Sequence, residues 1–234
     1  MRNYRKYTRR NLSKRRLPQF SATVWLILIN IIIFFVFYFY MLANPAILDY
    51  IALKPDDILQ GKYLWTIFTH MFMHGGPFHL IINMFVLFSL GSFMERVIGR
   101  KRFLLFYLVS GVIAGLLSVL LSGFFGASEI GMRIFGDPSL PAVGASGAIF
   151  AIAGLFVILL PRVRFSIIFF PFFSLPGYIM IPVVLVVFWI LSAVGGLPIG
   201  NVAHAGGFLA GLVYGLYLKQ RYAKKIKVLR RYFQ

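Results

Sequence analysis

Six apolar stretches, none shorter than 16 residues, dominate this 234-residue chain. They run Phe20–Leu42, Phe78–Met94, Phe103–Phe125, Ala145–Leu160, Tyr178–Val194 and Val202–Leu218. A water-soluble domain of this length has too little interior to hide them, whereas a helical crossing of a bilayer needs about 17–25 apolar residues. With 60% hydrophobic residues and a mean hydropathy of +0.84, the chain is expected to be all-α, a polytopic membrane protein built as a bundle of six transmembrane helices. A further run, Phe165–Phe173, is too short to cross. It is broken by Pro171 and Pro176 and is expected at the interface. The long segment from Ala43 to Pro77 mixes apolar residues with Pro45, Pro55 and Gly61, which predicts an interfacial outer loop of short amphipathic helices.

Charge orients the bundle. Of 24 Lys and Arg residues, 21 fall before the first stretch, after the second, after the fourth or after the sixth; only Lys54, Lys62 and Arg133 lie on the other side. The positive-inside rule then puts both termini in the cytoplasm and requires an even number of crossings. The expected organisation is a basic tail over 1–19, a membrane domain over 20–218 and a second basic tail over 219–234. The first stretch is too long for a cleaved signal peptide and reads as a signal-anchor. With no organelle-type presequence, the expected location is the plasma membrane. The basic tails are explained by orientation and by attraction to membrane lipid, and no nucleic-acid-reading module accompanies them. Glu95, beside Arg96, is expected to form an interfacial ion pair. The absence of cysteine excludes disulfides, thiol catalysis and zinc–thiolate sites.

A few polar residues stand inside the apolar stretches, and helical rise gives their depth. Ser146 lies 16 residues above Arg162, roughly 24 Å, and His204 lies 15 above Lys219, about 22 Å. Asn83 lies 13 residues above Arg96, about 20 Å, with His79 one turn higher at about 26 Å. In a hydrocarbon core about 30 Å thick, all four fall in one layer below the outer boundary. Polar groups at that depth are costly, so their convergence points to function.

Ser146, after Pro141 and Gly144, begins an apolar helix, where free N–H groups and the dipole would stabilise an oxyanion. Read alone, Gly144-Ala145-Ser146-Gly147 fits close helix packing better than catalysis. His204 is the lone histidine of the last stretch. Gly207, Gly211 and Gly215 follow it at four-residue spacing, a ridge that would press this helix on the fourth. No acid occupies the layer, so the expected machine is a Ser–His dyad with His204 as general base. His79 and Asn83, at i and i+4, can donate to an oxyanion. His70, His74 and His79 raise a metal alternative, but Gly75, Gly76 and Pro77 interrupt the helix between them and no Cys or carboxylate ligand is near; no metal and no cofactor is expected.

Across residues 20–218 the chain resembles the rhomboid intramembrane serine proteases. His74, His79 and Asn83 match that family's H-x-x-x-x-H-x-x-x-N, Gly144–Gly147 its G-x-S-G, and Ala203–Gly207 with Gly211 its A-H-x-x-G-x-x-x-G. The resemblance implies Ser146 as nucleophile, His204 as base, and His79, Asn83 and the Ser146 amide as the oxyanion hole. It also implies support from His74, Gly144, Gly147 and Gly207, and single-span transmembrane proteins as substrates. Two departures stand out. Phe150 replaces a tyrosine that many members stack on the histidine, and Trp65-Thr66 replaces an outer-loop Trp-Arg. The last-but-one helix, with Pro182, and the Gly195–Gly200 link are expected to form a gate. The rival readings are a catalytically silent relative that binds membrane clients and a transporter. The second lacks the intramembrane carboxylates and repeats it would need.

Overall fold

A computed structural model describes residues 21–167, 170–197 and 199–233. The basic tail expected over 1–19 and Pro198 of the gate link lie outside the described residues. A helix occupies each of the six apolar stretches: α1 (Ala22–Ala43), α2 (Pro77–Ile98, with a π-helical segment at Leu87–Gly91), α3 (Arg100–Phe125), α4 (Ser146–Leu159), α5 (Gly177–Ala193) and α6 (Asn201–Arg221). Helices α1 to α3 are long and apolar enough to cross a membrane; α4 and α5 are shorter, at 14 and 17 residues. A seventh helix, α7 (Ala223–Phe233), follows α6.

The apolar pattern of each helix decides its place. Helix α4 is apolar all round and buried on every side, so it is the axis of the bundle. Helix α1 buries only Ala22, Thr23, Leu26, Asn30 and Phe34, one stripe at helical spacing, and is peripheral. Its remaining surface (Phe35, Phe39 and Tyr40 among others) is exposed, as expected of side chains that face lipid. The closest packing is between α4 and α6. A Cβ on Gly207 would lie 1.9 Å from the Gly147 carbonyl oxygen, and one on Gly211 would lie 2.0 Å from that of Ala151. Gly154 closes the same seam against the Phe208 carbonyl. Backbone meets backbone here, which only glycine allows.

Both faces of the bundle are tied by polar contacts. On the outer face, Leu53 and Ala142 exchange backbone hydrogen bonds at 3.0 and 2.8 Å, joining the two outer segments. The first consists of short helical turns such as Pro55–Leu59 and Thr66–Thr69, as its sequence suggests. The second carries a short helix, Glu129–Phe135, not foreseen from its Gly and Pro content. On the opposite face, Arg102 at the start of α3 donates to the Tyr222 hydroxyl beyond α6, and Arg230 of α7 donates to the Leu159 and Ile158 carbonyls that end α4. The basic start of α3 and the basic helix α7 thus lie on one face.

One expectation changes. Glu95 does not pair with its neighbour Arg96. It is buried and accepts from the Ala22 N–H at 2.7 Å, the Thr23 N–H at 2.9 Å and the Thr23 hydroxyl at 2.8 Å. A carboxylate is thus set on the free donors and positive dipole end of α1. Arg96 instead donates to the Ser92 carbonyl. The run after α4, which its sequence places at the interface without assigning it secondary structure, is regular. Strands β1 (Arg164–Ile167) and β2 (Phe170–Pro176) form an antiparallel hairpin, with Phe165 opposite Leu175. Prolines forbid a helix there but are tolerated at a sheet edge, and the aromatic residues favour extended backbone.

Two outcomes test this packing. Glu95→Gln should lower stability by about 1–3 kcal/mol, while Arg96→Gln should have little effect; thermal unfolding in detergent separates this from an Arg96 ion pair, for which both substitutions should act alike. Gly211→Ala should cost about 1–3 kcal/mol by forcing α4 and α6 apart, read as a lower unfolding midpoint.

Candidate active site

Ser146 is the first residue of α4, on the outer side. Fourteen residues give α4 a length of about 21 Å, shorter than the hydrocarbon layer, so its first residue lies below the outer boundary. The chain arrives through Gly144 at φ +131°, a conformation that favours glycine. A Cβ there would also stand 3.0 Å from the His79 ring and 3.7 Å from Ser146 Oγ, so ring and hydroxyl flank this glycine together. The Gly144 N–H donates to the His70 carbonyl at 3.0 Å, which pins the turn to the outer loop. Ala145, at the cap, offers no side chain to the first-turn amides. The N–H groups of Ser146 and Gly147 therefore remain donors beside the hydroxyl.

His204 lies in the first turn of α6, with Nε2 2.7 Å from Ser146 Oγ. If the hydroxyl donates, the imidazole proton sits on Nδ1. Nδ1 is buried without a hydrogen-bond partner, and no carboxylate among the described residues reaches it. Packing holds the ring instead. Phe150, one turn after Ser146, lies 4.6 Å from it at 32°, and Phe188 of α5 lies 6.0 Å away at 50°. Phe150 thus keeps a ring against the histidine without a hydroxyl.

The other expected residues gather around this pair to different degrees. His79 and Asn83 line the same cavity as Ser146, His204 and Phe150, a space of about 1680 Å³. One N–H of the Asn83 amide donates back to the His79 carbonyl at 2.9 Å, so only its second N–H is left for a ligand. His74 is buried behind the cavity with its ring 5.1 Å from that of His79 and at 68° to it, and neither of its nitrogens has a partner. Gly147 and Gly207 act through the α4–α6 seam, in contact with each other. Thr66, the outer-loop departure, is buried with its hydroxyl on the Tyr63 carbonyl, and Trp65 donates to the Tyr50 carbonyl.

Sequence reasoning missed two contributors. His70 acts through its carbonyl on Gly144, while its ring Nδ1 is 2.9 Å from the Thr66 carbonyl. Nothing in its side-chain type signals a backbone role. Phe188 is one phenylalanine of 26, and only the approach of α5 singles it out.

A family model for the Rhomboid domain matches residues 61–221. The chain is 27% identical over 178 residues to the human "Presenilin-associated rhomboid-like protein, mitochondrial", covering 76% of this chain and 41% of that one. It is 33% identical over 169 residues to "RHOMBOID-like protein 4" of Arabidopsis thaliana, covering 71% and 37%. It is 29% identical over 180 residues to "Rhomboid protein 1, mitochondrial" of Saccharomyces cerevisiae, covering 74% and 48%. The chain therefore spans less than half the length of these relatives. Their names also correct the expected location: two are mitochondrial, which overturns the plasma-membrane assignment and with it the cytoplasmic label on the termini. That assignment leaned on a missing presequence, which a match to part of a longer protein does not inform. With the helical bundle in place and the Rhomboid domain model matching more than half of this chain, the chain belongs to the rhomboid family.

Proposed function

We propose that the chain is an intramembrane serine endopeptidase that hydrolyses peptide bonds of transmembrane proteins through a Ser146–His204 dyad. The observation that carries this reading is the 2.7 Å contact between Ser146 Oγ and His204 Nε2 in a cavity within the bundle. His204 takes the hydroxyl proton as Ser146 attacks the scissile carbonyl carbon. The charge that develops on the carbonyl oxygen meets the first-turn amides of α4, with His79 and the free Asn83 N–H as further donors. His204 then passes its proton to the leaving amine, and the acyl group stays on Ser146 as an ester. A water loses a proton to His204 and attacks the ester carbonyl; the acyl–Oγ bond breaks, the acyl group leaves as the carboxylic acid of the product, and His204 returns the proton to Ser146 Oγ.

A helical substrate hides its carbonyls in its own hydrogen bonds, so it must unwind before attack. Helix α5, which contains Pro182 and contributes Phe188 to the site, and the link before Asn201 are the proposed gate for a single-span protein. The tails flanking the proposed 20–218 domain contact lipid and, with no nucleic-acid module, serve orientation. The names of the relatives support a mitochondrial membrane as the setting.

Reconstitution in liposomes with a single-span substrate tests the activity. Wild type should cleave, and Ser146→Ala and His204→Ala should each leave only background; an inert wild type across varied substrates would favour a silent client-binding protein. Phe150→Ala should lower kcat about two- to tenfold with KM little changed, because the ring that aligns the imidazole is worth about 0.5–1.5 kcal/mol. Phe150→Tyr should retain most of the rate.

A further inference from the structure

A second cavity, of about 800 Å³, lies at the opposite end of the bundle from Ser146. Three segments wall it: the Pro161-Arg162 turn after α4, the last turn of α6 and one face of α7. Five cations line it (Arg162, Lys219, Lys227, Arg230 and Arg231) and no acid does. Arg230 is committed, since its guanidinium holds the Leu159 and Ile158 carbonyls. The other four are exposed. The chain has six acids in all; five belong to the outer segments, and Glu95 is bound to the start of α1. The protein therefore supplies no counter-charge to a cavity whose walls repel one another.

From this geometry we propose that the cavity binds an anionic phospholipid by its headgroup phosphate. Position and wall chemistry favour lipid over a soluble anion. The cavity opens where α4 and α6 end, which is headgroup level for helices that cross a bilayer. Apart from Gln220, its remaining wall is apolar: Ile226 is buried beneath it, and Leu216 is exposed one turn up the lipid side of α6, where an acyl chain would run. Arginine forks and lysine ammonium groups around one space suit phosphate oxygens. The bound phosphate neutralises the cations of α7, so that α7 stays docked with Arg230 on the end of the helix that begins at Ser146.

The test uses the purified full chain in neutral detergent at fixed ionic strength, titrated with phosphatidylglycerol, phosphatidylcholine or inorganic phosphate. Bound lipid is read by native mass spectrometry and the unfolding midpoint by thermal scan. Wild type should retain phosphatidylglycerol and gain stability from it, and should not do so with phosphatidylcholine. Lys219→Gln with Lys227→Gln should weaken phosphatidylglycerol binding about tenfold or more, since two charge-assisted contacts to the phosphate are lost. Arg221→Gln with Lys224→Gln removes the same charge from the same stretch, but neither residue lines the cavity, so binding should change less than about twofold once ionic strength screens charges that do not touch the phosphate. Arg162→Gln, on the wall that α7 does not form, should also weaken binding, which guards against loss of α7 alone. Equal losses from both double variants would replace the cavity with diffuse attraction. An equal stability gain from inorganic phosphate alone would replace the lipid with a soluble anion, and no change in Arg162→Gln would overturn the site.

Discussion

The approach of α4 and α6, backbone to backbone, is the constraint on which the rest of the structure depends. Apolar surface gives two helices little reason to associate in lipid, because acyl chains are as apolar as leucine; close packing supplies it instead. Here Gly207 meets the carbonyl of Gly147, and Gly211 that of Ala151. Gly147 directly follows Ser146, and Gly207 lies three residues after His204 on the same side of α6. The hydroxyl–imidazole contact is therefore a consequence of the seam. It forms because the two helices have no side chains between them at that level.

The seam must also be held at one depth. Helix α4 is too short to cross alone, and both its ends are fastened. Above it, the Gly144 turn is bonded to the His70 carbonyl, and the neighbouring Ala142 pairs with Leu53. Below it, Arg230 takes up two of the carbonyls that a helix end leaves free. Glu95 does the corresponding work for α1 by accepting the first donors of that helix. Polar groups of opposite kind thus close helix ends on the face away from Ser146, a carboxylate on the start of α1 and a guanidinium on the end of α4, while the interior is left to small residues and rings. Phe150 and Phe188 pack on the His204 ring, whose Nδ1 lacks the carboxylate partner of a triad histidine.

Much of this was legible in the sequence because a bilayer turns residue counts into depths. Helical rise from a basic anchor put Ser146, His204, His79 and Asn83 in one layer, and the four line one cavity. The glycine spacing after His204 marked the seam. What stayed hidden depends on partners far along the chain. Glu95 sits beside a cation, which suggests a local pair, yet its carboxylate serves residues 72 and 73 positions away. Asn83 has the right type and spacing, but one of its donors returns to its own helix. The β1–β2 hairpin and α7 lie where charge and proline density mask regular structure, and their order comes from contacts such as Arg164 with Ser174 and Arg230 with α4. Phe188 carries no local signature at all.

The most direct measurement of the central claim is an experimental structure of the protein after reaction with a fluorophosphonate. The account predicts phosphorus bonded to Ser146 Oγ and a phosphonyl oxygen within hydrogen-bond reach of the Ser146 or Gly147 amide. His204 should stay stacked on Phe150, about 3 Å from the bonded oxygen. An unmodified Ser146, or an adduct with His204 turned out of reach across a separated α4–α6 seam, would contradict it.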